Sequence, residues 1–167
     1  MICLPRGIQP IIALAGVLRA GAAFVIVEDN YAPERIEFIK NDCGCKLVID
    51  SEAWSEIQNL ESMNGYEPLD EHAAAFAVYT SGTTGNPKGV LHEYGNIDRI
   101  ITASTFTDGK ELTTPDDRFA LVAPLNFVAS VTIIFFGLAN SIYLNVVPYS
   151  VVKNPMKMMM FLVKNTI

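Results

Sequence analysis

Apolar residues recur at helical spacing near the start of the chain, where Ile11, Leu14, Ala15 and Leu18 fall at i, i+3, i+4 and i+7. Pro10 is tolerable in a first turn and Gly21 is placed to end that helix. The period then shortens. Phe24-Val25-Ile26-Val27 is an apolar, β-branched run that predicts a strand. Pro33 and Glu34 suit the first turn of a second helix, whose inner face is Ile36, Ile39 and Cys43. Lys46-Leu47-Val48-Ile49-Asp50 gives the next strand. The order helix, strand, helix, strand predicts an α/β fold of layered mixed or parallel sheets flanked by helices, joined by right-handed crossovers.

From Ser51 to about residue 73 the pattern breaks, and Glu52, Glu56, Glu61, Glu67, Asp70 and Glu71 appear with no Lys or Arg. This reads as a solvated acidic connector, with a short helix at Trp54. A strand from Phe76 to Thr80 follows, then a Gly- and Thr-rich loop, then a helix from about Asn96 to Thr107 in which Ile97, Ile100 and Ile101 repeat. The loop is thus expected between a strand and a helix. Farther on, Phe119 to Ala123 predicts a buried strand, Ser130 an N-cap for a helix through Leu138, and Ile142 to Val147 another strand. Asn154-Pro155 opens a last helix in which Met156, Met158, Met159 and Met160 contribute to a buried side.

Composition narrows the function classes. The 167 residues are 50% hydrophobic and 18% charged, enough for about one domain. A net charge of −6 lacks the basic footprint of a nucleic-acid binder. Three cysteines do not make a disulfide framework, and with no secretory pattern at Met1-Ile2-Cys3-Leu4-Pro5-Arg6 the expected location is cytoplasmic. Cys43-Gly44-Cys45 supplies two thiols where a structural zinc needs four ligands, so these read as packing cysteines. No charge occurs between Arg118 and Lys153, a stretch long enough to cross a bilayer. Pro124, Asn126, Ser130, Thr132, Asn140 and Ser141 interrupt it, which favours buried strand, helix and strand over a membrane span.

The chemistry concentrates in Tyr79-Thr80-Ser81-Gly82-Thr83-Thr84-Gly85-Asn86-Pro87-Lys88-Gly89, where three glycines, four Ser or Thr hydroxyls and one cation are packed together. Glycines let backbone N–H groups approach phosphate oxygens, hydroxyls donate further hydrogen bonds, and Lys88 is a point charge. Between Lys46 and Lys88 no other Lys or Arg occurs, so a polyanion here relies on Lys88, on dipoles and on Mg²⁺. A Walker P-loop is excluded, because Pro87 and Gly89 flank the lysine where Gly and Ser or Thr are required. A surface loop shaped only by turn preference is the bland alternative.

This loop resembles the signature of the adenylate-forming (AMP-binding) enzymes, T-S-G-T-T-G-x-P-K-G, at every fixed position from Thr80 to Gly89. Within that superfamily the chain is most similar to the adenylation domains of nonribosomal peptide synthetases. Their upstream block L-K-A-G-A-A-Y-V-P-L-D-P-x-Y-P-x-E-R is echoed by Leu18 to Arg35, with the second proline displaced by one position. The resemblance implies an ATP-dependent ligase. A carboxylate attacks the α-phosphate of ATP, and the acyl group passes to a thiol of a phosphopantetheine carrier or CoA. It implies that Thr80, Ser81, Gly82, Thr83, Thr84, Gly85 and Lys88 hold ATP, with Mg²⁺ ligands mostly outside this chain.

Two departures bear on substrate. Tyr94 stands where the family has His in H-R-N-L, and no role passes to His92, two positions earlier, or to His72 in the connector. Phe127-Val128-Ala129-Ser130 matches a block whose aspartate pairs with the substrate α-ammonium, so Val128 implies an acid without that cation, unless Val128 is simply core. The family's later N-x-Y-G-P-T-E block, ribose-binding aspartate and C-terminal lysine domain have no counterpart in residues 1–167. The chain is therefore expected to be a partial N-terminal adenylation domain without turnover of its own. Two other classes stay open: a noncatalytic nucleotide-binding or regulatory module, and a small membrane-associated protein.

Overall fold

The computed structural model describes residues 1–61, 65, 70–80, 87–102 and 113–167. The chain divides into two compact units, Met1–Tyr94 and Gly95–Ile167. In the first, α1 (Ile8–Arg19) forms as its sequence predicts. It ends in a Schellman turn: Gly21 takes φ 73°, its N–H donates to Leu18 O, and Ala22 N–H donates to Val17 O. The buried face is Pro10, Ile11, Ala13 and Leu14, whereas Ala15 is exposed.

The apolar run Phe24 to Val27 is buried throughout, but only β1 (Phe24–Val25) is a regular strand. Ile2 lies between Ile26 and Ile49 in parallel bridges, with Ile2 N–H donating to Val25 O and Cys3 N–H to Ile49 O. The strand expected at Lys46–Asp50 reduces to this bridge at Ile49. Asp50 instead caps α3 (Ser51–Ile57), accepting from the N–H groups of Glu52 and Ala53. Trp54 is buried in that helix. Between them α2 (Pro33–Asp42) buries Ile39, while Cys43, beyond its last turn, is exposed and is not a packing cysteine.

The unit is completed by β2 (Ala74–Thr80) and β3 (Lys88–Glu93) in a sheet of order β1-β2-β3. β1 and β2 are parallel, β2 and β3 antiparallel, so the sheet is mixed. Phe76, fully buried, stacks on Phe24 and on His92 at centroid distances of 5.5 and 4.4 Å.

In the helix α4 (Tyr94–Thr102), Ile97 is buried and Ile100 and Ile101 half-buried. The expected continuation to Thr107 lies outside the described residues. The second unit contains β4 (Arg118–Leu121), α5 (Val128–Ala139) and β5 (Tyr143–Val146), with β4 and β5 parallel. Ser130 is not the N-cap of α5: the helix begins two residues earlier, and the buried Ser130 hydroxyl donates to Ala123 O at 3.0 Å. α5 lies so close to β5 that a Cβ on Gly137 would fall 2.8 Å from Leu144 Cδ2.

A short helix, α6 (Tyr149–Val152), precedes α7 (Pro155–Asn165). Asn154 caps α7 by accepting from Lys157 N–H. The methionines do not form a buried side, since Met156, Met159 and Met160 are exposed, Met160 by 65%. Among the described residues no helix is long and apolar enough to cross a membrane, because the uncharged stretch after Arg118 is divided among β4, α5 and β5.

Candidate functional site

The signature loop is not followed by a helix, as the sequence pattern implied, but is bracketed by β2 and β3. Register pairs Tyr79 with Gly89 and Thr80 with Lys88, so the two ends of the signature face each other across the last pair of the hairpin ladder. Both Thr80 and Lys88 are exposed. Ser81, Gly82, Thr83, Thr84 and Gly85 lie outside the described residues. An exposed hydroxyl and an exposed ammonium paired across adjacent strands can together engage a polyanion, the hydroxyl by hydrogen bonding and the ammonium by charge.

Tyr79 is tied down. Its hydroxyl donates to Asp42 Oδ2 at 2.6 Å, and its ring packs against the buried cluster of Val25, Val27 and Ile39. Burial, followed by the Asp42 hydrogen bond, pushes the phenol well above the usual tyrosine range. Opposite it, a Cβ on Gly89 would lie 3.0 Å from Tyr79 Cζ and 3.2 Å from its hydroxyl oxygen. Sequence reasoning missed this pair. No periodicity links Asp42 to Tyr79, and the one clue is an acid in the last turn of a helix, where the dipole disfavours it.

Tyr94, which replaces the family's histidine, donates at 3.1 Å to Leu18 O near the end of α1, a carbonyl that also accepts from Gly21 N–H, and burial raises its phenol. His92 is half-buried on Phe76, and His72 is exposed with its Nδ1 3.1 Å from Glu93 Oε2. In the second unit Phe127 and Val128 stand at the start of α5, 57% and 44% exposed. Val128 is therefore not a core residue. Neither side chain can neutralise an ammonium, and the first turn of α5 carries no acid. Among the described residues no three His, Cys, Asp or Glu side chains converge into a cluster that could hold a metal ion.

The family model described as "AMP-binding enzyme" matches residues 1–166. The chain belongs to this family. It is 31% identical over 184 aligned residues to surfactin synthase subunit 1 of Bacillus subtilis (strain 168), covering 99% of this chain and 5% of that protein. Among solved structures, the N-terminal subdomain of Klebsiella oxytoca NpsA in complex with 3-hydroxyanthranilyl-AMSN superposes with a TM-score of 0.82 at 23% identity, covering 99% of this chain and 43% of that one. An artificially fused adenylation-PCP di-domain from the same organism, NpsA-ThdA, gives a TM-score of 0.82 at 23% identity, over 98% of this chain and 35% of the fusion. The fold is that of the N-terminal part of an adenylation domain. The chain spans less than half the length of each of these relatives.

Proposed function

We propose that this chain is a segment of an ATP-dependent ligase that activates a carboxylic acid as its acyl-adenylate. In that reaction a carboxylate oxygen attacks the α-phosphorus of ATP; a new acyl–O–P bond forms, the bond to the β-phosphate oxygen breaks, and pyrophosphate leaves with that electron pair. Thr80, Ser81, Gly82, Thr83, Thr84, Gly85 and Lys88 hold the β- and γ-phosphates, stabilising charge and alignment instead of reacting covalently. The observation that carries this reading is the pairing of Thr80 with Lys88, which places both ends of the signature side by side at the last ladder pair of the β2–β3 hairpin.

Phe127 and Val128 belong to the acid side. With valine and no acid in the first turn of α5, nothing at this position can pair with an α-ammonium, so Val128 favours an acid lacking that cation, such as a keto, hydroxy, aryl or fatty acid. The acyl group then passes to the thiol of a phosphopantetheine carrier or of CoA. Cys3, Cys43 and Cys45 are all free thiols, which fits work in the reducing cytoplasm. Mg²⁺ enters with the nucleotide.

Calorimetric titration with Mg-ATP tests the phosphate assignment. The native chain should bind saturably, and Lys88→Ala combined with Thr84→Ala should weaken binding by about tenfold or more. Equal affinity in the two proteins removes the loop from the nucleotide site. In a full-length relative carrying valine at the Val128 position, pyrophosphate exchange should run with a deaminated acid. Exchange driven only by the α-amino acid would remove the substrate assignment.

A further inference from the structure

We propose that Tyr79 is a positioning residue for the nucleotide loop, fixing the spacing of Thr80 and Lys88 by anchoring the end of β2 to Asp42 at the end of α2. This rests on the reading of the hairpin as the phosphate site. Tyr79 is the last β2 residue before Thr80, and its phenol reaches Asp42 at 2.6 Å, the short distance of a charge-assisted O–H···O⁻ bond. The ring between these ends is wedged. It packs on Val25, Val27 and Ile39 and also lies beside Gly89, where an added β-carbon would sit 3.0 Å from Cζ.

A side chain at Gly89 would thus crowd the tyrosine across the ladder, whose ring would have to give way by a few tenths of an ångström. Asp42 points to the same arrangement. A carboxylate in the last turn of a helix meets the negative end of the dipole, an unfavourable place that a strong external donor offsets. Because burial and this bond hold the phenol protonated, the donor persists at every ordinary assay pH. Tyr79 acts through its neighbours: shifting the β2 end displaces Thr80 directly and Lys88 through their shared ladder pair.

The test uses the whole chain with Tyr79→Phe, Asp42→Ala, Asp42→Asn and the double variant Tyr79→Phe/Asp42→Ala. Phenylalanine keeps the wedge and removes only the bond. Mg-ATP affinity should fall by roughly three- to tenfold in Tyr79→Phe and in Asp42→Ala, with no further fall in the double variant, because both lose one bond. Asp42→Asn, which keeps an acceptor oxygen, should retain most of the affinity. Amide hydrogen exchange in nucleotide-free protein supplies the second readout. Exchange at Thr80, Lys88 and Gly89 should accelerate, while Phe76 and His92 at the far end keep their rates; a purely structural role would speed both ends together.

Native affinity and unchanged exchange in Tyr79→Phe would overturn the proposal, as would additive losses in the double variant. Failure of the native chain to bind Mg-ATP would instead overturn the reading of the site. Exchange at the hairpin end would still decide the role of Tyr79.

Discussion

The β2–β3 hairpin and the β4–α5–β5 unit are both strand pairs, yet they are held in opposite ways. In the hairpin one arm carries the burial: β2 buries Ala75, Phe76 and Val78, whereas Val90 and Leu91 of β3 are exposed. β3 stays in place through its backbone ladder and through the His92 ring on Phe76. In β4–α5–β5 the strands are parallel and need the helix as a crossover, so burial is shared by all three elements, at Leu121, Ile134 and Asn145. A strand that relies on its neighbour's core can leave its own side chains exposed, as Lys88 is. A crossover packed on both its strands leaves little freedom.

The sharpest way to break this contrast is Phe76→Ala, which removes the ring joining β1, β2 and β3. A fully buried aromatic of this kind is worth about 3–5 kcal/mol, read from urea denaturation. A loss no larger than the roughly 0.5 kcal/mol of a surface change would mean that the ladder alone holds the hairpin. For the second region the expected cost is smaller. Gly137→Ala must displace Leu144 and should destabilise by about 1–3 kcal/mol, and adding Leu144→Ala should cost less than the two single changes summed.

The smallest effect is a pH dependence at the end of the hairpin away from the signature, where Glu93 pairs with Ala74. The hydrogen bond and charge of Glu93, with Glu71, raise the His72 pKa. A raised folded-state value means that the pairing contributes fully below the ordinary histidine range and is lost as pH rises through the raised value. Between about pH 6 and 8 the native protein should therefore lose slightly more stability than His72→Gln, compared by urea midpoints. Parallel curves would show that the exposed pair contributes nothing.

The same contrast explains what the sequence revealed. β4, α5 and β5 were legible because shared burial leaves apolar runs, and α1 and α2 because Gly21 and Pro33 mark their ends. β3 was not, since Lys88-Gly89-Val90-Leu91-His92-Glu93 is half-buried at most and shows no alternation tied to burial. The Thr80–Gly89 signature identified the family, but the hairpin that frames it and the Asp42 anchor depend on contacts between distant positions. The methionines of α7 misled because thioethers suit a core equally well when a helix face is left open. Ser130 misled because its hydroxyl serves Ala123 from inside the helix.

Ile2 has a consequence for how the polypeptide comes into being. Its two flanking partners, Ile26 and Ile49, are both made after it, so during synthesis the earliest of these segments to leave the ribosome is the last to be enclosed. Until Ile49 has been made, Ile2 has only one of its two bridging neighbours, and its other edge stays unpaired.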